Sequence, residues 1–361
     1  MGEGSGVRAL RPCLIFIKRI HMSVSLAQIF LIFLSALTMS IVSTPLVRRL
    51  AIAVGIIDQP NARKVHTNPV PLLGGLAIYG GVVVTLLIWD DQFILRELAA
   101  ILGGATIVVV CGMLDDKWGL SASLKLLGQI IACFVLIYAG IQVQLFASPW
   151  LNALITIAWV AGISNAINFL DNMDGLSAGL TAVASAFFLQ LAVLNGQFLV
   201  AALSAATMGA CIGFLRHNFV PTKIFMGDTG SLFLGFILAV LGIKLRFPSN
   251  SIIVTWMIPI VVLGVPIFDT SMVIVARLRR RVNPFNTPGK DHISHRFVAL
   301  GSSRREAVLI CYMLGVGCGI TATMLSKADV QEAYALAALL IGIALVGIWL
   351  FERYARYNPP K

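Results

Sequence analysis

The chain has 361 residues, 58% of them hydrophobic and only 12% charged, with a formal net charge of +11 and a mean hydropathy of +0.90. That balance excludes a soluble domain with an ordinary polar surface and indicates a polytopic membrane protein, since each crossing helix takes about 20 apolar residues. The positive charge does not imply nucleic acid, because Lys and Arg in such a chain report orientation in the membrane first.

The expected fold is all-α, with about eleven transmembrane helices near residues 23–44, 72–89, 97–114, 124–143, 151–170, 176–194, 198–215, 229–247, 252–275, 307–325 and 332–351. Arg48 and Arg49, Arg63 and Lys64, Arg216 and Lys223, Arg277 to Arg281, Arg304 and Arg305, and the tail from Arg353 all fall on one side of this count. That side is assigned to the cytoplasm of a bacterial cell membrane, which puts the N-terminus outside and the C-terminus inside. Arg8, Arg11, Lys18 and Arg19 then lie outside, against the positive-inside tendency; a start at Met22 removes the conflict. Residues 1–22 are therefore read as an N-terminal extension, 23–351 as the transmembrane domain and 352–361 as a basic cytoplasmic tail. Leu26 to Val47 lacks a small-residue cleavage site and runs on to span length, so it reads as a span and not as a cleaved signal. The six cysteines are scattered through apolar segments without metal spacing and are expected to be free thiols.

Polar clusters interrupt this apolar chain at the cytoplasmic ends of the spans. A turn-rich loop from Asp58 to Pro69 carries Arg63 and Lys64, which suit either a phosphate or anionic lipid heads, and leads into Gly74-Gly75. The third span ends on Leu114-Asp115-Asp116, adjacent carboxylates that repel unless a cation, a lysine or a shared proton relieves them. Lys125 follows one turn into the fourth span, placed to contact a phosphate or to snorkel to the headgroups.

The most informative stretch is Asn165-Ala166-Ile167-Asn168-Phe169-Leu170-Asp171-Asn172-Met173-Asp174-Gly175, between two long apolar segments. Asn165, Asn168, Asp171 and Asp174 recur every third residue, which on a helix predicts one drifting stripe of oxygen ligands for a hard cation or for substrate hydroxyls. Capping by one Asp ahead of Gly175 would explain one carboxylate and not the whole stripe. Further on, Asn218 precedes Gly227-Asp228-Thr229-Gly230-Ser231, a carboxylate in a glycine-flanked turn opening a helix. There backbone N–H groups and a metal ligand can meet one phosphate, with simple N-capping by Asp228 as the alternative. The largest loop carries Arg279 to Arg281 and then Lys290-Asp291-His292-Ile293-Ser294-His295-Arg296, an anion-binding cluster more readily than a zinc site. Asp269, late in the ninth span, is expected to be structural and to pair with the nearby arginines.

Carboxylates, amides and glycine turns suit magnesium; Lys, Arg and His suit a diphosphate; an apolar wall suits a lipid tail. Together they indicate phosphoryl-group chemistry between a soluble nucleotide donor and a membrane-embedded acceptor. On Leu114-Asp115-Asp116, the stretch from Asn165 to Gly175, Phe225-Met226-Gly227-Asp228-Thr229-Gly230-Ser231 and the His292 to Arg296 loop, in that order, the chain resembles the polyprenyl-phosphate N-acetylhexosamine-1-phosphate transferases, the family of MraY, WecA and TagO.

The resemblance implies transfer of a sugar-1-phosphate, GlcNAc-1-phosphate first among candidates, from a UDP-sugar to undecaprenyl phosphate, with UMP released. That is the first membrane step of cell-wall or surface polysaccharide synthesis. It implies Mg2+, with Mn2+ as a substitute, held by Asp228 and Asn168. It places Asp115, Asp116, Lys125, His292 and His295 in the chemistry, and Lys64, Asn165, Asp171, Asp174, Asn218 and Arg296 on the substrates. No nucleic-acid partner is expected, and the oligomeric state stays open, a homodimer included. The Pro60 to His66 segment resembles the WecA/TagO group more than MraY, which favours UDP-GlcNAc over the MurNAc-pentapeptide donor. A flippase or transporter of lipid-linked sugars is the alternative from another class; it would place polar groups near the midplane and often show repeated halves. The chain departs from the family pattern twice: Ser294 stands where the middle His of a His-x-His-His loop would be, and Asn172 replaces a Gly in the central motif.

Overall fold

The structure, a computed structural model, describes residues 25–59, 69–89, 95–284, 287 and 289–355. Within them the chain forms thirteen helices and one two-residue strand pair. Eight helices are long and apolar enough to cross a membrane: α1 (Leu26–Ala53), α3 (Leu95–Trp118), α5 (Pro149–Leu170), α6 (Leu176–Leu194), α7 (Phe198–Asn218), α8 (Gly227–Lys244), α12 (Arg304–Leu325) and α13 (Val330–Tyr354). The pair α9 (Ile252–Val262) and α10 (Gly264–Arg279), bent by 76° at Leu263, is together long and apolar enough for a ninth, as a broken span or a re-entrant loop. The shorter apolar helices α2 (Gly74–Ile88) and α4 (Ala122–Tyr138) complete a set that matches the eleven expected segments one for one. The remaining helix, α11 (Ile293–Ala299), lies in the last large loop. β1 (Ile57–Asp58) and β2 (Val70–Pro71) pair antiparallel and close the base of the first loop; the interior of that loop, Lys64 included, lies outside the described residues.

Local chemistry sets most helix starts. Ser25, Ser121 and Ser251 accept from N–H groups of the first turns of α1, α4 and α9. Ser303 with Glu306, and Asp329 with Glu332, form capping boxes ahead of α12 and α13. Pro149 opens α5, where its missing N–H costs nothing. The last helix runs to Tyr354, three residues into the segment read as a basic tail.

The bundle is built around α8. Every residue from Thr229 to Ile243 is buried, as expected for a helix apolar on all sides. By contrast none of the apolar window of α13 is buried inside the protein, so its Leu, Ile and Val side chains face outward to lipid. Helix α8 packs chiefly on α3 and α5, with α2 and α6 beside them, and small residues let the backbones close in. A Cβ on Gly112 of α3 would lie 2.5 Å from the carbonyl oxygen of Asp228. The N-terminus of the central helix is thereby pressed against the end of α3.

One expectation fails here. Asn165 and Asn168 lie on α5, but that helix stops at Leu170, so Asp171 and Asp174 do not extend the stripe. Residues 171–175 form a turn that ends on Gly175 at φ 77°, a left-handed conformation that glycine adopts without strain. An Asp-Asn-Met-Asp-Gly run has stronger turn chemistry than helix propensity, and that overrides the three-residue spacing. The expectation of free thiols holds for Cys111, Cys133, Cys211, Cys311 and Cys318; Cys13 lies outside the described residues.

Candidate active site

The C-terminal ends of α3 and α5 and the N-terminal ends of α4 and α8 meet at one end of the bundle. The first N–H groups of α8 lack partners within their own helix, and the N-cap residue Met226 supplies no side-chain bond. Asp116 of α3 supplies it instead: its carboxylate accepts from Asp228 N at 2.8 Å, Thr229 N at 3.0 Å and Thr229 Oγ1 at 2.6 Å. A negative charge here also complements the positive end of the α8 dipole. Gly227 just before it sits at φ 71°, and a Cβ there would collide with the Asp116 carboxylate. Asp228 is therefore not the N-cap. Its own carboxylate is left to point away from the cap.

Lys125 joins what the two carboxyl-bearing helix ends present. Its Nζ donates to Asp115 Oδ2 at 3.1 Å and to Asp228 Oδ2 at 2.9 Å, with all three side chains between 14% and 25% exposed. The other Asp115 oxygen accepts from Leu120 N at 2.6 Å. Asn168 bonds the Asp228 carboxylate and donates to Ser231 Oγ at 2.9 Å, tying α5 to α8. Asn165 turns instead to α4, donating to Gln129 Oε1 at 2.9 Å.

The turn after α5 adds two more carboxyl groups, Asp171 and Asp174. Burial pushes the Asp171 carboxyl up to about 8, reinforced by Asp228, Asp116 and Asp174. Asn218 braces this turn from α7, accepting from Gly175 N at 3.0 Å and donating to Ile224 O at 3.0 Å. It is 4% exposed and serves the turn's geometry rather than a surface. Tyr312 of α12 donates to Gly175 O at 2.6 Å from the other side.

The histidine loop docks on the same turn. His292 Nδ1 meets Asp269 Oδ2 at 2.8 Å, and the second Asp269 oxygen accepts from Ile293 N at 2.6 Å. Asp269 thus pairs with His292, correcting the expectation that it serves the arginines. A carboxylate so placed takes the Nδ1–H and fixes the orientation of the ring. Burial, then His292 and Lys290, push the His295 imidazole down to about 4, so it is neutral at pH 7.

The arginines are less available than their number promised. Asp291 accepts from Arg277 Nε at 3.1 Å and Arg280 Nη2 at 2.6 Å. Arg296, expected beside a substrate, donates to Asp291 O at 2.8 Å and to Glu352 of α13 at 2.6 Å. It is only 1% exposed and braces the loop against the last helix, because a guanidinium buried this deeply has to be paired.

Gln129, Thr229 and Ser231 received no individual role from the sequence, and Asp269 received the wrong partners. Thr229 and Ser231 stood inside a quoted motif; Gln129 and Asp269 were visible only as lone polar groups in apolar runs, whose partners lie on other helices.

Among the described residues no three His, Cys, Asp or Glu side chains form a ready-made metal cage. The donors nevertheless fit a hard divalent cation: several carboxylates and an amide gather around a single lysine, and magnesium is commonly held by one or two carboxylates completed by substrate phosphates.

Fold and site together define an all-α, multi-span membrane protein with an oxygen-rich, acidic centre at one end of its helix bundle. A family model described as glycosyl transferase family 4 matches residues 98–246. A protein of Bacillus subtilis named a probable undecaprenyl-phosphate N-acetylglucosaminyl 1-phosphate transferase is 38% identical over 87% of this chain and 89% of its own length. A decaprenyl-phosphate N-acetylglucosaminephosphotransferase of Mycolicibacterium smegmatis is 34% identical over 80% of both chains. An undecaprenyl-phosphate alpha-N-acetylglucosaminyl 1-phosphate transferase of Yersinia pestis is 28% identical over 93% of this chain. The chain belongs to glycosyl transferase family 4.

Proposed function

We propose that the protein transfers GlcNAc-1-phosphate from UDP-GlcNAc to undecaprenyl phosphate, releasing UMP. The observation that carries this reading is the Lys125 bridge between Asp115 and Asp228 at the capped N-terminus of α8. It gathers phosphate-binding and metal-binding groups from separate helices at one level of the bundle. The names of the relatives support the transferred group, GlcNAc-1-phosphate, and the acceptor, undecaprenyl phosphate. They also favour this reading over the pentapeptide transferase and over a transporter, as does the gathering of the polar groups at helix ends rather than midway along the spans.

In this reading Asp228 and Asn168 would hold Mg2+, with Mn2+ as a substitute, and the ion when bound would supply positive charge opposite the diphosphate. Lys125 leaves its carboxylates to contact the phosphates as the donor enters. An oxygen of undecaprenyl phosphate attacks the phosphorus bearing the sugar, the bond to the bridging oxygen of UMP breaks, and a new diphosphate joins lipid to sugar. Asp115, accessible and next to Lys125, takes the proton when the acceptor arrives as a monoanion. Asp116 is a positioning residue, since its two oxygens hold α8. His292, set by Asp269, and neutral His295 face the sugar and diphosphate as hydrogen-bonding groups. Asp171 and Asp174 border the nucleotide side. The basic residues at this end of the bundle support a cytoplasmic position for it, where the nucleotide donor is found.

The test is UMP release by purified protein with undecaprenyl phosphate and Mg2+, offering UDP-GlcNAc, other UDP-hexosamines and UDP-MurNAc-pentapeptide in parallel. Release with UDP-GlcNAc, lost in Asp228→Ala, supports the reading. Release with only the pentapeptide donor overturns the choice of sugar. No release with any donor from folded protein overturns the chemistry.

A further inference from the structure

The two positions at which the chain departs from the pattern it resembles touch each other. Ser294 Oγ donates to Asn172 Oδ1 at 2.6 Å across 122 residues of sequence. Ser294 is fully buried. The Asn172 carboxamide is held at its other end as well, donating from Nδ2 to Phe169 O at 3.0 Å. Only one orientation of that amide satisfies both partners, because the carbonyl of Phe169 needs a donor and the serine hydroxyl then finds the acceptor. The Phe169 ring in turn stands edge-on to the His292 ring, with centroids 6.4 Å apart.

The bond joins the Asp171 turn and the histidine loop. Asn172 follows Asp171 directly, and Ser294 lies between His292 and His295. The polar anchors of the histidine ring and of Arg296 run elsewhere, to Asp269 on α10 and to Glu352 on α13, while Ile293 packs in one apolar cluster with Leu170 and Met173. The Ser294 hydroxyl adds a directional tie to this apolar contact.

We propose that Asn172 and Ser294 form a positioning latch for the transfer reaction, fixing His292 and His295 against the Asp171 turn so that both sides of the donor are gripped at once. It acts through its neighbours and touches no reacting atom. The proposal rests on the sugar-phosphate transfer reading above.

Steady-state kinetics and hydrogen exchange of Ser294→Ala, Asn172→Ala and the double variant test it. A lost buried hydrogen bond that matters in the transition state lowers kcat about tenfold and leaves KM for UDP-GlcNAc within about twofold. Ser294→Thr, which keeps the hydroxyl, recovers most of the rate. The double variant falls no lower than the worse single one, because both remove the same bond. Should Asn172→Ala not fold, Ser294→Cys, which keeps the volume and weakens the donor, gives an intermediate rate. Wild-type kcat in folded Ser294→Ala, losses that multiply in the double variant, or a drop in melting temperature with unchanged kcat each overturn the latch. Wild-type protein that releases no UMP overturns the transfer reading instead. Exchange at residues 292–296 then decides the latch: equal acceleration in both single variants keeps it, and unchanged exchange ends it.

Discussion

Asp116→Asn separates a residue that shapes the centre from one that reacts in it. The substitution keeps size and removes one acceptor oxygen together with the negative charge. Asp116 now accepts three hydrogen bonds, two from backbone N–H groups of α8 and one from Thr229 Oγ1. An amide oriented to keep the Thr229 pair presents its NH2 to Asp228 N, so one charge-assisted bond of roughly 1.5–3 kcal/mol is lost. Removing the anion from the helix N-terminus costs about another 0.5–1 kcal/mol. A local loss of roughly 2–4 kcal/mol loosens the turn that aims Asp228, which converts to a rate loss on the order of 10²-fold or more. Purified protein in nanodiscs should melt several degrees lower, read by a thiol-reactive dye on the buried cysteines, and release UMP correspondingly slowly. Asp115→Asn, by contrast, should lose activity with a smaller fall in melting temperature, since Asp115 bonds Leu120 N, Lys125 and the Asp228 side chain but caps no helix. Asp116→Asn that melts like wild type yet is as inactive as Asp115→Asn would refute this division and put Asp116 on the substrate.

Three further outcomes test other parts of the arrangement. Lys125→Met leaves Asp115 and Asp228 facing each other without their shared cation; activity should fall more than about 10²-fold, and added Mg2+ should raise the melting temperature more in the variant than in wild type. EDTA should abolish UMP release from wild type, with Mg2+ restoring it. His295, held at about 4 against an ordinary 6.5, binds its proton in the unfolded chain before the folded one. Its contribution is therefore complete above about pH 7 and lost as pH falls from 6.5 towards 4, by about 3 kcal/mol at most. His295→Gln should flatten that part of a melting-temperature profile, and an unchanged profile refutes the assignment. Glu352→Gln strands Arg296, 1% exposed, and should cost about 3–5 kcal/mol locally, seen as faster proteolysis of the loop before α11 with the transmembrane helices still folded.

Apolarity and length are local properties, so the sequence alone determined the eleven membrane segments, their gross limits and the polar motifs at their ends. Turn chemistry is local too, which is why Gly227 and Gly175 were legible as turns while the three-residue spacing from Asn165 to Asp174 misled: Asp171 and Asp174 leave the helix where side chains favouring turns accumulate. Partner choice is not local. That Asp116 caps α8, that Lys125 bridges Asp115 to Asp228, that Asp269 serves His292 and not the arginines, and that Arg296 turns inward to Glu352 were decided by the packing of helices far apart in the chain. Periodicity reports which face of a helix is apolar and carries no information about which neighbour that face meets. Only the close approach of α3 to α8, made possible by glycine at 112, brings the carboxylates to a common centre where their charges have to be shared.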